Sequence, residues 1–298
     1  MARPFVGTEA LRAGRVTRRT LASRYDAVYR NVYVSKGIEM TASTRAVAAW
    51  LWSGRQATMA GLSAAALYGA RWIETAEPAE LYRRNGKPVD GILIHRDELA
   101  DDETRLVAGI ATTTPARTAF DLGRRRGRAQ AVARLDALAQ ATGVCAADVL
   151  PLVERHRGVR GLVQLRDVLD LMDDGAESPQ ETRTRLLLVD SGLQRPKTQI
   201  VVAGNFLGRR HARIDMGYDE FKVGVEYEGA QHWTDPAIRA NDIDRYAELT
   251  AQGWIIIRVS SDMLRYRPHT IVARTCDALR IRGAQWPVIA RILDDRVA

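Results

Sequence analysis

The sequence predicts an α/β (α+β) protein: a C-terminal domain of order α-β-β-β-α-β behind a mainly helical N-terminal region that opens with a winged helix-turn-helix. Three observations carry this. Residues 7–34 read as helix, turn, basic helix and strand. Residues 198–228 alternate apolar and polar side chains, as half-buried strands do. Between them, Met172-Asp-Asp-Gly-Ala-Glu-Ser178 is polar and ends a helical stretch, which places a domain boundary there. The expected organisation is a winged helix-turn-helix at 1–60, a mixed, mainly helical region at 61–175 and the α-β-β-β-α-β domain at 176–298.

In chain order, Thr8 is a candidate N-cap for a first short helix, Gly14 breaks it, and Thr17 caps a second, Arg18-Arg-Thr-Leu-Ala-Ser-Arg24. Val28 to Val34 alternates as one strand. Residues 43–69 are alanine-rich and read as helix, packing through Trp50, Leu51, Leu62, Leu67 and Tyr68. Short strands follow near 80–83, 91–95 and 106–110, with Asn85-Gly86 as a turn. Thr114-Pro115 starts a helix with proline at its first position. Further helices are expected at 128–141, 145–156 and 161–171. The run Arg124-Arg-Arg-Gly-Arg128 is read either as a solvated helix end favoured by the dipole or as a DNA contact. Beyond the boundary come helix 179–190, strands 198–203, 211–218 and 222–228, helix 237–251, strand 254–259 and helix 268–282.

The 298 residues are 46% hydrophobic and 27% charged, as in a globular protein. The net charge of +8 is uneven: residues 1–60 carry ten Lys/Arg against three Asp/Glu. That excess suits a polyanion partner, with Arg18, Arg19 and Arg24 offered to phosphates or base edges of double-stranded DNA. Cys145 and Cys276 lie far apart and form no disulfide framework or zinc motif. The N-terminus has no long apolar core of a signal peptide, and there is no apolar run long enough for a membrane span, so a cytoplasmic protein with no membrane partner is expected.

The chemistry concentrates in Arg213 to His232. Alternation puts Ile214, Met216 and Tyr218 on one face of the first strand and Asp215 on the other. On the second strand Val223, Val225 and Tyr227 oppose Gly224, Glu226 and Glu228. Joining the apolar faces into one core gathers Asp215, Glu226 and Glu228 on a small surface. Crowded carboxylates need a cation, a shared proton or a basic partner.

These blocks resemble the PD-(D/E)xK nucleases, whose fold is restriction-endonuclease-like, and more closely the very-short-patch-repair-type endonucleases and their actinobacterial relatives. The matching residues are Ser178-Pro-Gln-Glu181, Arg213-Ile-Asp215, Val225-Glu-Tyr-Glu-Gly-Ala-Gln-His232, Asp242-Ile-Asp-Arg245 and Gly253-Trp-Ile-Ile-Ile-Arg-Val259. The N-terminal half resembles the winged-helix region of AbiEi-like abortive-infection antitoxins through Thr17-Arg-Arg-Thr-Leu, Gly61-Leu-Ser-Ala-Ala-Ala-Leu and Thr113-Thr-Pro-Ala-Arg-Thr-Ala-Phe-Asp121.

The nuclease resemblance implies Mg²⁺ or Mn²⁺ on Asp215, Glu226 and the Tyr227 carbonyl, activating water for phosphodiester hydrolysis. Many members of that superfamily have a Lys where this chain has Glu228, though the very-short-patch enzymes also lack it; Glu228 could ligate a second metal or accept a proton from water, and His232 is a candidate acid or base. Glu181 has two readings: helix-borne carboxylate near the metal, or N3 partner of Ser178 in a capping box. Asp242 and Arg245, three apart on one helix face, suit an ion pair. The alternative has Arg245 reaching a site carboxylate or a phosphate. The leading expectation is therefore a metal-dependent DNA endonuclease targeted by an N-terminal DNA-binding module. The alternative is a non-catalytic DNA-binding antitoxin or transcriptional repressor with a nuclease-like fold. An RNA-processing nuclease is a third possibility, because the carboxylate chemistry does not choose the sugar.

Overall fold

A threonine cap and an asparagine in the left-handed region shape the N-terminal end of the chain. In the computed structural model the described residues are 3–85, 87–125, 127–206, 209–229 and 236–294. They fall into two units, Met1–Met172 and Asp173–Ala298. The first begins with β1 (Phe5–Val6), α1 (Gly7–Arg12), α2 (Arg18–Arg24), β2 (Tyr25–Tyr29) and β3 (Val32–Ser35). Thr17 caps α2 reciprocally: its hydroxyl accepts the Thr20 N–H at 3.1 Å and the Thr20 hydroxyl accepts the Thr17 N–H at 2.8 Å. Thr8 is not a cap, because α1 starts one residue before it. Its N–H donates instead to Asn31 Oδ1 at 3.0 Å, and Asn31 Nδ2 donates to the Thr8 hydroxyl at 2.9 Å. Asn31, at φ 64°, makes the turn that splits the expected single strand at 28–34 into a hairpin. The three strands lie in the order β1-β3-β2.

The remainder of this unit is a five-stranded sheet with helices. Its elements are α3 (Ala42–Trp52), β4 (Thr58–Met59), α4 (Gly61–Leu67), β5 (Ala79–Tyr82), β6 (Ile92–His95), β7 (Thr104–Val107), β8 (Ile110–Thr113), α5 (Pro115–Arg125), α6 (Arg128–Thr142), α7 (Ala146–Arg155) and α8 (Leu162–Leu171). Strand order is β6-β5-β4-β8-β7. Two expectations are corrected. The helix at 43–69 is two helices, because Ser53-Gly54-Arg55 turns and Thr58–Met59 pairs with both β5 and β8. The strand at 106–110 is the turn of a β7–β8 hairpin, closed by Ala108 at φ 49° and Gly109 at φ 82°. One apolar core joins Tyr29 and Val32 of the hairpin to Met59, Leu81 and Ile110 of the sheet. Residues 1–60 are therefore packed into the elements that follow them.

Beneath this sheet lies a buried ionic network. Arg117, 1% exposed, pairs with Glu103 and, through Nε at 3.1 Å, with Asp121, each also 1% exposed. Its Nη2 reaches the Tyr82 hydroxyl at 2.7 Å, which donates to Asp121 at 2.8 Å. Burial raises the Glu103 carboxyl, but His156 at 2.5 Å and Arg117 outweigh it and hold it below the usual range. Glu80 accepts the Leu62 N–H at 3.1 Å and so caps α4, while its other oxygen meets His95 at 2.5 Å. Gly61, at φ 47°, has to be glycine: a Cβ there would sit 1.9 Å from the Glu80 carboxylate. Two arginines of the basic run are drawn into the same network: Arg124 pairs with Asp121 at 3.1 Å, and Arg125 reaches Tyr82 at 2.9 Å and Asp97 at 3.1 Å. A solvated helix end does not describe these two, whereas Arg128 holds Asp167 at 2.7 Å at the surface; Arg126 lies outside the described residues.

The second unit contains α9 (Pro179–Asp190), β9 (Lys197–Phe206), β10 (Arg209–Tyr218), β11 (Val223–Glu228), α10 (Pro236–Ala251), β12 (Ile255–Ser260), α11 (Ser261–Tyr266), α12 (Pro268–Ile281) and α13 (Pro287–Asp294). The sheet runs β12-β11-β10-β9; β9, β10 and β11 are antiparallel in turn, and β11 and β12 are parallel across the α10 crossover. Its two faces carry separate cores. Met216, Tyr218, Val223 and Val225 pack with Leu188 and with Ile271, Cys276 and Leu279. Val202, Phe206, Ala212 and Ile214 pack with Leu249 and Trp254. Ile214 is thus in a different core from Met216 and Tyr218, against simple alternation. The change falls at Asp215, opposite Gln199, which takes φ 50° and interrupts the regular pairing of β9. Gly224 lets Ile214 come close, since a Cβ there would lie 2.8 Å from its Cγ2.

Both cysteines are free, Cys145 exposed and Cys276 buried. No single described helix is long and apolar enough to cross a membrane.

Candidate functional site

The carboxylates of the second unit come from two strands and one helix. Asp215 lies on β10 between Ile214 and Met216, and its Oδ2 accepts the Tyr227 N–H at 2.8 Å. Glu226 and Glu228 follow at alternate positions on β11. Burial, then the neighbouring Glu181 and Glu226 carboxylates, push the Asp215 carboxyl up to about 7. Three acids in one low-dielectric place cannot all ionise without help.

Glu181 shares the site and caps its helix. The Ser178 hydroxyl accepts the Glu181 N–H at 3.2 Å and donates to Glu181 Oε1 at 2.8 Å, while Oε2 accepts the Glu177 N–H at 2.9 Å. Burial raises its carboxyl as well. The capping reading of Glu181 describes its backbone and both of its oxygens, and its charge also reaches Asp215.

The remaining acids are matched by bases and a phenol. Arg245 on α10 holds Glu226 bidentately, Nη1 to Oε2 at 3.0 Å and Nη2 to Oε1 at 2.5 Å, and its Nη2 also reaches the Arg213 carbonyl at 2.5 Å. The Tyr246 hydroxyl donates to Glu226 Oε2 at 2.6 Å and stands 3.4 Å from Glu228 Oε1. Arg258 on β12 pairs with Glu228. Both guanidiniums lie over the Tyr246 ring, at 5.2 Å for Arg245 and 4.9 Å for Arg258. Arg245 thus reaches a site carboxylate, as one of its two readings had it; the expected pair with Asp242 falls on a side chain outside the described residues. Sequence reasoning missed Tyr246 and Arg258. The signal for Arg258 was available only from register, since it lies opposite Glu226 across the parallel β11–β12 pair.

His232 and Trp233 lie outside the described residues. Among those described, no three His, Cys, Asp or Glu side chains are arranged to hold a metal ion. Asp215 suits a divalent cation, because its burial beside two carboxylates calls for positive charge. Glu226 suits one only when Arg245 and Tyr246 release its oxygens.

In the first unit the nucleic-acid candidates Arg18, Arg19 and Arg24 are all exposed on α2, a helix with no buried residue. Arg12 at the end of α1 and Arg15 in the turn that follows are exposed too. The nearby acid, Glu9, is taken bidentately by Arg55 at 2.7 and 2.8 Å. What faces solvent is a cationic helix and turn.

Two uncharacterized Mycobacterium tuberculosis proteins, MT2308 of strain CDC 1551 and Rv2248 of strain H37Rv, are each 30% identical to this chain over 228 residues, covering 74% of it and 82% of the relative. The chain belongs to their family. Residues 57–171 match the model for the AbiEi antitoxin C-terminal domain. That locates the antitoxin resemblance more closely than its motifs did. Gly61-Leu-Ser-Ala-Ala-Ala-Leu and Thr113 to Asp121 fall inside the match, whereas Thr17-Arg-Arg-Thr-Leu falls outside it. The likeness therefore belongs to the sheet and helices of β4 to α8, including the Arg117 network, rather than to the basic helix. No solved structure matches the chain.

Proposed function

We propose that the protein binds double-stranded DNA through residues 1–60 as an antitoxin or transcriptional repressor of the AbiEi-like class. The observation that carries this reading is α2 itself: a capped helix that packs through Leu21 and turns Arg18, Arg19 and Arg24 to solvent, in the same small unit as the β1-β3-β2 sheet and preceded by Arg12 and Arg15. A helix of this kind docks in the major groove, with arginine available for phosphates and guanine edges. The antitoxin-domain match over 57–171 supports the same reading from an independent part of the chain. The test is a footprint on DNA from the region upstream of the protein's own reading frame. Protection lost in an Arg18→Ala/Arg19→Ala variant is expected; protection unchanged in that variant rejects the assignment of α2.

A second reading, a Mg²⁺- or Mn²⁺-dependent endodeoxyribonuclease with a restriction-endonuclease-like fold, is favoured by one observation: the Asp215 carboxyl stands at about 7 beside Glu181 and Glu226. Asp215, Glu226 and the Tyr227 carbonyl would hold the ion, which would supply Lewis acidity and a water nucleophile. For this reading Arg245 has to leave Glu226, where it could then meet a phosphate. Incubation of the intact protein with plasmid and Mn²⁺ separates the two readings. Nicking abolished in Asp215→Asn supports hydrolysis, and no nicking leaves the DNA-binding reading standing alone.

A further inference from the structure

β11 ends at Glu228, opposite Ser260 at the end of β12, so the parallel pair stops together at one end of the sheet. β10 runs against β11, and by its register the stretch from Arg209 to Ala212 lies beyond that end, paired with β9. α11 begins where β12 stops. Two basic segments therefore border this end of the sheet, one on either side of β11.

The first is the outer part of the β9–β10 ribbon. From Ser191 to Ile214 the chain has five Lys/Arg and a histidine but no Asp or Glu, although it carries 36 of them in all. Val202 and Ala212 turn into the Leu249 core. The alternate residues Val201, Ala203, His211 and Arg213 are exposed, and so is Arg210. Val201 is 64% exposed, so this face of the ribbon is left open. At the base of the ribbon Arg195 holds Asp173 at 3.2 Å and Lys197 holds Asp219 at 2.7 Å. Arg213 meets Glu177 at 2.9 Å with both side chains partly in solvent, a pair that a phosphate can exchange.

The second is the corner between α11 and α12. From Met263 to Cys276 there are three arginines and a histidine, again with no acid. Met263 and Leu264 anchor α11 on the core. Arg265, Tyr266, Arg267 and His269 are turned to solvent, Tyr266 by 65%. The Arg265 guanidinium lies over the Tyr266 ring at 5.2 Å. Between the two segments, Glu226 is matched by Arg245 and Glu228 by Arg258, so these acids do little to offset the basic borders.

We infer that this end of the second unit is a DNA-binding face of its own, gripping a duplex by its phosphates through Arg210, His211 and Arg213 on one side and Arg265, Tyr266, Arg267 and His269 on the other. Guanidiniums, imidazoles and a phenol are the donors that phosphate oxygens receive. β10 and β12 flank β11 and so lie about 10 Å apart, close to the roughly 12 Å across which the two backbones of a major groove face each other. The inference depends neither on what α2 binds nor on whether the carboxylates hydrolyse anything.

The experiment is fluorescence anisotropy of the full chain with a labelled DNA duplex, in wild type and in an Arg18→Ala/Arg19→Ala background. Added to that background, Arg210→Ala/His211→Ala and Arg265→Ala/Arg267→Ala are each expected to weaken binding about fivefold or more. Each should also lower the slope of log affinity against log salt, by about 0.9 for every arginine that meets a phosphate. Arg280→Ala, at another exposed position of the unit, is expected to leave both unchanged. Melting curves check folding; should a pair melt early, Arg210→Gln and Arg267→Gln singly keep the readout. If the background binds as the wild type does, the assignment of α2 fails while this one is still decided by the pairs. The inference is overturned by a background that binds no duplex at low salt, or by pairs that leave affinity and slope unchanged. Weakening by one pair alone, equal weakening by Arg280→Ala, or a single strand bound as tightly as the duplex overturns it too.

Discussion

Arg245 closes on Glu226 with both arms of its guanidinium, at 3.0 and 2.5 Å, and Glu226 is only 4% exposed. The pair is one unit: neither charge is at ease in that place without the other. Arg245→Ala leaves a buried carboxylate with, among the described residues, the Tyr246 hydroxyl as its remaining side-chain donor. Breaking a buried pair in this way costs about 3–5 kcal/mol, and urea denaturation of the variant should show a loss of that order. A loss below about 1 kcal/mol would mean that water reaches Glu226 freely, contrary to its burial.

Asp215 gives the stability of the second unit a pH dependence. Folded, it holds its proton up to about pH 7; unfolded, it titrates near the ordinary value of 3.8. The folded pKa is the higher of the two, so its contribution is complete below 3.8 and is lost as pH rises through 7. At about 1.4 kcal/mol per unit, the loss is on the order of 4 kcal/mol if Asp215 titrates alone. Asp215→Asn keeps an acceptor for the Tyr227 N–H and removes the titration. The variant should be more stable than the wild type at pH 8 and close to it at pH 4. Parallel stability curves for the two proteins across that range would refute the elevated pKa.

The basic helix α2 should reveal itself in salt dependence. Each phosphate neutralised contributes about 0.9 to the slope of log affinity against log salt. Arg18→Ala and Arg19→Ala are each expected to lower the slope by up to that amount and to leave the melting temperature unchanged, since both side chains are exposed. Fluorescence anisotropy at several salt concentrations reads this directly. Unchanged slopes in both variants would move the DNA contact elsewhere.

In the first unit, Arg117→Leu removes the buried guanidinium that Glu103 and Asp121 share, each 1% exposed, and leaves Glu103 to His156 and Asp121 to Tyr82 and Arg124. The expected loss is again about 3–5 kcal/mol, measured by thermal and urea denaturation. Exposed Arg157, just past the end of α7 and paired at the surface with Glu154, is the control, and Arg157→Leu should change stability by less than about 1 kcal/mol.

Local signals in the sequence were legible wherever one or two residues decide the structure. Thr17 before the basic helix, Pro115 at the start of α5 and Ser178 with Glu181 at the start of α9 all act at the positions their chemistry suggests. Contrary cases share a cause. Thr58–Met59 is a strand only because β5 and β8 lie on either side of it, and a two-residue strand leaves no periodicity to detect. Ala108 takes a positive φ that alanine does not announce, although Gly109 beside it marks a turn. Asp215 was visible as an acid between apolar residues. The irregularity that moves Ile214 into the other core was not, because it depends on Gln199 across the sheet. The pairing of Arg245 with Glu226 and of Arg258 with Glu228 depends on how α10 and β12 return to β11, which no spacing within β11 encodes.

The Arg117 network has a consequence for how the first unit assembles. Its members come from the end of β5, the turn before β7 and the length of α5. A slip of one residue in the β7–β8 hairpin would reverse its faces and leave Glu103 without its guanidinium. The charges thus act as a proofreading device: hydrophobic collapse alone would accept several alignments of these short strands, whereas only one seats every ion. A fragment cut anywhere between Glu80 and His156 is accordingly expected to come apart as a whole rather than survive as a smaller domain.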